Sequence, residues 1–240
     1  MSTPTARPPQ IPPDHAPQDS ARPEVPLSVK AQLLATEHWS LLASRSTTQN
    51  EVLTRISMFL TLVSAALVSL ALVGQATGFS ETFSVFAVAV LGVVSLVGVL
   101  TELRVMNVAF EDLMYVVAMN RIRGEYAEMV PDVAHAFMAS AHDDQAGSAT
   151  TYYFFGQRSN FSQVAASSMT FIEAINGAMI GLLVASVAQV LAASVAASVV
   201  IGIVCGVAYF AVTTARGARR YFAIWKNHTS RYPTPTTGDV

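Results

Sequence analysis

The sequence predicts an all-α membrane protein: four transmembrane helices arranged as two hairpins, with a cytoplasmic helical pair continuous with the first two crossings. Three observations carry this prediction. First, Ile56 to Ser80 and Thr82 to Thr101 contain no charged residue, and Ala174 to Ala215 runs 42 residues without one. A crossing needs about 20 mostly apolar residues, so the first two runs each supply one and the third supplies two. Second, only 12% of the chain is charged, and the mean hydropathy is +0.44. A soluble domain carries about 25% charge. Third, the 14 Lys and Arg residues avoid Gln75 to Glu81 and Leu191 to Ala197, the two expected turns. Basic residues flanking membrane helices stay on the cytoplasmic side, so Arg55, Arg104, Arg216, Arg219 and Arg220 act as topology anchors. Both ends and the central region are therefore expected inside, in a cell inner (plasma) membrane.

Residues 1 to about 27 hold eight of the eleven prolines, including Pro8, Pro9, Pro12 and Pro13. Fixed φ and missing donors predict a disordered cytoplasmic tail. The first 25 residues have no apolar core of the signal-peptide kind, so the first membrane helix is expected to direct insertion.

Ser28 to Leu42 reads as a helix with a partly apolar face of Val29, Leu33, Leu34, His38, Leu41 and Leu42. Polar Ser44 to Glu51 follows. Thr48 and Glu51 have capping-box spacing, which fits a new helix; the absence of Gly and Pro fits one continuous helix. Glu51 and Arg55 are spaced for an i,i+4 pair.

The first crossing is expected over Arg55 to Val73, with Gly74 and Gly78 in the outer turn, and the second over Phe83 to Leu100. Beyond it, Leu103, Met106, Phe110, Leu113 and Val117 recur at 3,4,3,4 spacing, a cytoplasmic seam that predicts helix to Met129, before Pro131. The N-terminal helix is its expected antiparallel partner in a domain spanning residues 28–130. Residues 131–170 form a cytoplasmic linker, with a short helix over Asp132 to Ala141 and a loop over His142 to Thr151. Tyr152 to Phe155 is an aromatic run suited to the headgroup level, and Phe161 to Met169 leads into the third crossing. The second transmembrane hairpin occupies 171–213, as Phe171 to Leu191 and Val195 to Thr213. In the 214–240 segment, Arg216, Arg219, Arg220 and Lys226 alternate with Tyr221, Phe222 and Trp225, a pattern expected to lie along the membrane surface.

Gly177, Gly181, Ser198, Gly202 and Gly206 are small residues at helical spacing. They suit close approach of backbones, either as an oligomer seam or between these two helices of one subunit. Ser57, Thr61 and Ser64 share one face of the first crossing. They suit a pore lining, or hydroxyls bonded to their own backbone or to a neighbouring helix. Glu102 and Glu173 fall near the cytoplasmic edge, within reach of water, and Asn176 and Gln189 are the most polar groups in the third crossing. No charge sits at mid-membrane, which argues against a proton-coupled transporter or a voltage sensor. His142, Asp143 and Asp144 are metal-site candidates, weakly supported because His135 is about 10 Å away along an intact helix. The same segment also suits a helix end and loop docking on the stalk through hydrogen bonds.

Cys205 is the single cysteine and cannot form an intrachain disulfide. There is no nucleotide loop, CxxC, HExxH or supported Ser/His/Asp set, so no cofactor and no enzymatic activity are expected. A net charge of -2 makes nucleic acid an unsuitable partner.

The stretch LLASRSTTQNEVLTRISMFLTLVSAALVSLALVGQATGF, followed by MNRIRGEY and HDD, resembles a family of uncharacterised bacterial multi-pass integral membrane proteins, over Leu33 to about Phe210. That resemblance transfers no functional residue. More remotely, a cytoplasmic helix, a membrane hairpin and a long returning helix resemble SLATT-type effectors of bacterial defence, which implies membrane perforation on a partner's signal. The second hairpin departs from that two-helix plan. The expected function is a non-enzymatic membrane protein that assembles through its helices, with lipid, its own copies and a cytoplasmic protein as partners, and anchors or relays at the inner face. The alternatives are an oligomeric channel or pore-forming effector and, third, a membrane-bound metal-dependent enzyme centred on His142, Asp143 and Asp144.

Overall fold

The computed structural model describes residues 25–156 and 167–235 of the 240. Apart from its last three residues, the expected disordered tail lies outside the described residues, as does most of the lead-in over 161–169. All regular structure among the described residues is helical. Four helices carry stretches long and apolar enough to cross a membrane.

Helix α1 (Leu27–Thr77) is one uninterrupted helix of 51 residues, about 75 Å long. Continuity wins over a break at Thr48, whose hydroxyl donates back to the Ser44 carbonyl at 2.9 Å instead of capping a new helix. With no Gly or Pro between Leu27 and Val73, nothing interrupts the backbone ladder. Gly78 closes α1 in the left-handed conformation (φ 61°), and its N–H bonds to the Gly74 carbonyl. Gly74 itself lies inside the helix, beneath the Phe79 ring. A Cβ there would come 2.5 Å from Phe79 Cε1, so a larger residue would displace that exposed ring.

Helix α2 (Glu81–Met129, 49 residues) returns antiparallel to α1, as three cross-helix ion pairs establish: Arg104–Glu51 at 2.8 Å, Arg45–Asp112 at 2.6 Å and Lys30–Glu125 at 2.8 Å. Its buried line runs through Val105, Val108, Val116 and Met119. The expected seam is therefore displaced: Leu113 is buried, Met106, Phe110 and Val117 are half-buried, and Leu103 is 46% exposed. Two 3,4 registers overlap on this helix, and the partner selects the one whose residues oppose Val52, Ile56 and Phe59 of α1. On α1, Leu34, His38 and Leu41 turn inward, whereas Val29, Leu33 and Leu42 remain exposed.

A 3₁₀ helix (Pro131–Ala136) replaces the longer helix expected to Ala141. Helix α3 (Gln145–Tyr152) stands where a loop was expected, because the Asp144 side chain accepts from the Gly147 amide at 2.7 Å and starts the turn. Helices α4 (Ser168–Val190) and α5 (Val195–Asn227) pack on each other through glycines, and α4 also packs on α2. A Cβ on Gly181 would come 2.8 Å from the Gly202 carbonyl, and one on Gly206 2.5 Å from the Gly177 carbonyl. Gly177, Gly181, Gly202 and Gly206 thus serve contact between two helices of one subunit, with Ser198 buried in the same contact. Helix α5 continues 14 residues past Thr213 without a break. Its basic-aromatic segment is an extension of the fourth apolar helix, not a separate surface helix. Helix α5 also exposes Val199, Val200, Ile203, Val204 and Val207, an apolar patch suited to lipid.

Candidate functional site

Two polar constellations are built where the sequence reading had placed weak or solvated groups. The first lies at the far end of the α1–α2 pair. Asp143 is fully buried, although it is an aspartate in a loop. Its carboxylate accepts from Arg121 Nε (2.7 Å), from the Ser230 hydroxyl, and from the backbone amides of Arg231 (3.2 Å) and Tyr232 (2.8 Å). The Asp143 amide in turn donates to the Tyr232 carbonyl at 3.1 Å, and the Asp143 carbonyl lies 2.7 Å from His228 Nε2. Burial opposes ionisation of Asp143, but these donors outweigh it and hold the carboxyl well below the usual range. Asp144 caps α3 and also takes the Thr234 amide (2.6 Å) and hydroxyl (2.8 Å). The Tyr232 hydroxyl lies between Glu125 (2.9 Å) and Glu128 (2.8 Å), its one proton serving either carboxylate, and its ring lies against Gly124, where a Cβ would come 2.5 Å from Cδ2. Residues 228–234 are thereby clamped onto α2 and α3.

Below this clamp, Asp112 collects Arg45, Gln49 (2.7 Å) and the Tyr152 hydroxyl (2.7 Å). Burial again opposes ionisation, and these donors hold the Asp112 carboxyl below its ordinary value. Tyr152 faces Arg45 and Asp112, while Phe155, the end of the same aromatic run, is 94% exposed. Asn120, also fully buried, ties the layers together: it donates to the His142 carbonyl at 2.8 Å and accepts from Arg123 and Thr151.

The second constellation sits where α2, α4 and α5 converge. Asn176 is fully buried and donates through Nδ2 to the Gly98 carbonyl (2.9 Å) and to Glu102 Oε2 (2.7 Å). Tyr209 donates to the same Glu102 oxygen at 2.8 Å, and Thr214 donates to Glu173 Oε2 at 2.7 Å. Gly98 admits this arrangement because it has no side chain: a Cβ there would strike Asn176 Oδ1 and come 2.8 Å from Phe59 Cζ. The expectation that Glu102 and Glu173 meet water fails, for they are 5% and 1% exposed. The lateral packing of α4 on α2 covers both.

Ser57, Thr61 and Ser64 lie on the exposed face of α1, each donating to the carbonyl four residues earlier. His142, Asp143 and Asp144 do not assemble a metal site: the carboxylate oxygens of both aspartates are occupied by N–H and O–H donors, and no group of three His, Cys, Asp or Glu among the described residues could hold an ion. Arg55 pairs with Glu51, and Arg104 bridges Glu51 and Glu111, while Arg216, Arg219 and Arg220 are exposed. The one sequence signal for the clamp was the HDD triplet opposite RIRGEY; nothing local pointed to residues 228–234.

Compared with protein-family models, curated proteins and solved structures, the chain matches none. Length and apolarity of its helices make it a membrane protein of four candidate spans.

Proposed function

We propose that the protein is a multi-pass inner-membrane protein, threaded as two hairpins with both ends cytoplasmic, that assembles through its helices and relays or anchors at the cytoplasmic face. The observation that carries this reading is the continuity of α1 and α2, each one helix from its apolar half to its polar end. A continuous helix transmits a tilt or shift along its whole length. The part-buried ion pair Arg45–Asp112 and the apolar contacts of Val52, Ile56 and Phe59 hold the two helices in register, so a partner at the polar end would move the apolar end with it. The clamp on Asp143 couples the end of α5 to the same polar tip, closing the route from both sides.

The test is accessibility and assembly. With Cys205→Ala as background, Val25→Cys and Pro235→Cys, both at exposed positions, should both resist a membrane-impermeant maleimide in intact cells and both react after lysis. Labelling of the two ends from opposite faces rejects the topology, and cross-linking in native membranes that returns only monomer rejects the assembly. A second reading, an oligomeric pore of the kind the remoter resemblance implies, draws on the exposed hydroxyl face Ser57, Thr61 and Ser64. Liposome flux unchanged by bulky replacements on that face excludes it.

A further inference from the structure

Arg216, Arg219, Arg220 and Lys226 are exposed on the last part of α5, and none of them holds a carboxylate among the described residues. The rest of the chain behaves differently. Every other Lys or Arg among the described residues is ion-paired, except Arg123, which donates to Asn120. Arg220 reaches only the Met106 sulfur, at 3.8 Å. The cause lies in the sequence: from Ala174 to Gly238 there is no Asp or Glu, and residues 157–166 contain none either. On the adjoining α2, Glu102 is engaged by Asn176 and Tyr209, and Glu111 by Arg104.

Position selects the partner. The uncharged part of α5, Val195 to Ala215, is about 31 Å long, which matches a hydrocarbon core of about 30 Å. Arg216 therefore stands at the hydrocarbon boundary. Arg219 and Arg220 stand about 4.5 and 6 Å further on, within a headgroup layer about 5–7 Å deep. Spacing of i, i+3 and i+4 places the three on one face. Helical side chains tilt toward the helix N-terminus, here back toward the membrane. Lys226 lies about 15 Å past the boundary, outside the layer. The glycine contact with α4 and the clamp on 228–234 fix α5 on both sides of the three arginines, so they are presented on a held backbone. Membrane topology asks only that basic residues lie on one side; it does not ask that they be unpaired.

We propose that Arg216, Arg219 and Arg220 form a binding site for the phosphodiester headgroup of an anionic phospholipid. The proposal rests on the membrane reading given above. A guanidinium offers five donors in a planar fork that fits phosphate oxygens bidentately, and all three forks are free of carboxylate. Phosphatidylglycerol supplies the net negative charge that α5 lacks, whereas phosphatidylcholine carries its own cation. A lipid held here ties the end of α5, and through the clamp the tip of α2, to one leaflet.

The experiment places the full-length protein in nanodiscs of equal phosphatidylglycerol and phosphatidylcholine and counts the lipids it retains by native mass spectrometry. A basic group at an anionic surface contributes about fivefold, and three together on the order of 100-fold. The wild type should therefore retain phosphatidylglycerol over phosphatidylcholine by at least about tenfold. The triple variant Arg216→Gln, Arg219→Gln, Arg220→Gln should bring the ratio near unity, and Lys226→Gln should leave it within about twofold. Equal retention by the wild type overturns the proposal, as does a preference that the triple variant keeps or an equal loss in Lys226→Gln. Should the triple variant not insert, the wild type decides. Raising ammonium acetate from about 0.1 M to about 1 M shortens the screening length from about 10 Å to about 3 Å, so the preference should fall several-fold. A preference indifferent to salt overturns the proposal. Failure of the wild type to enter nanodiscs overturns the membrane reading and this proposal together; entry without a lipid preference overturns this proposal alone.

Discussion

Replacing Asp143 by asparagine should release the segment 228–234 without unfolding the helices. The carboxylate receives four donors, two of them backbone amides and one a guanidinium. Asparagine keeps the shape but presents one oxygen and an NH₂ group, so one pair of donors meets a donor. Hydrogen bonds to a charged acceptor contribute roughly 1.5–3 kcal/mol each and do not add. The Arg121 side chain is 43% exposed, so its pair with Asp143 is screened and discounted. The net loss is then about 3 kcal/mol, most of it from the buried amides. At about 1.4 kcal/mol per tenfold, the clamp opens roughly 100-fold more often. Hydrogen exchange read by mass spectrometry on the protein in nanodiscs should show peptides over 228–234 exchanging about that much faster, with α4 peptides unchanged. Unaltered exchange over 228–234 in a folded Asp143→Asn protein would refute the clamp.

Other outcomes follow from the same geometry. The carboxyls of Asp112, Glu125, Asp143 and Asp144 all titrate below their ordinary values. Their stabilisation is full above the unfolded value of about 4 and is lost as pH falls through the folded values, so the 228–234 exchange rate should rise as pH falls below the unfolded value. Gly206→Leu should drive α4 from α5 and lower stability by about 1–3 kcal/mol or more, seen as loss of the monodisperse peak in size-exclusion chromatography, since even a Cβ would sit 2.5 Å from the Gly177 carbonyl. The triple replacement of Ser57, Thr61 and Ser64 by alanine should change thermal stability within about 0.5 kcal/mol, because these exposed hydroxyls bond only their own helix. A double-mutant cycle on Lys30 and Glu125 should return at most about 1 kcal/mol, the Lys30 side chain being 42% exposed.

The helices were legible because their signal is local. A run such as Ile56 to Ser80 is uncharged whatever it packs against, and Pro131 ends α2 by its own stereochemistry. The register of α2 was not legible. Leu103, Met106 and Phe110 form as regular a stripe as Val105, Val108 and Val116, and only the position of α1 decides which stripe is covered. Helix α3 escaped notice because Gly147, Thr150 and Thr151 are poor helix formers, and its start depends on an Asp144 cap that also holds Thr234. The small residues of α4 and α5 were legible as a close-contact face, but whether the contact lay within or between subunits was decided by the pairing of Gly181 with Gly202.

By itself the sequence determined four apolar helices and the solvent that surrounds them, because hydropathy is a property of each stretch alone. The tertiary structure decided which polar residues are withdrawn from that solvent. Glu102 and Glu173 are ordinary edge-of-helix residues until α4 lies across α2, and Asp143 is an ordinary loop aspartate until residues 89 positions away fold back onto it. Burial of this kind comes from pairing between distant segments, which no local pattern encodes.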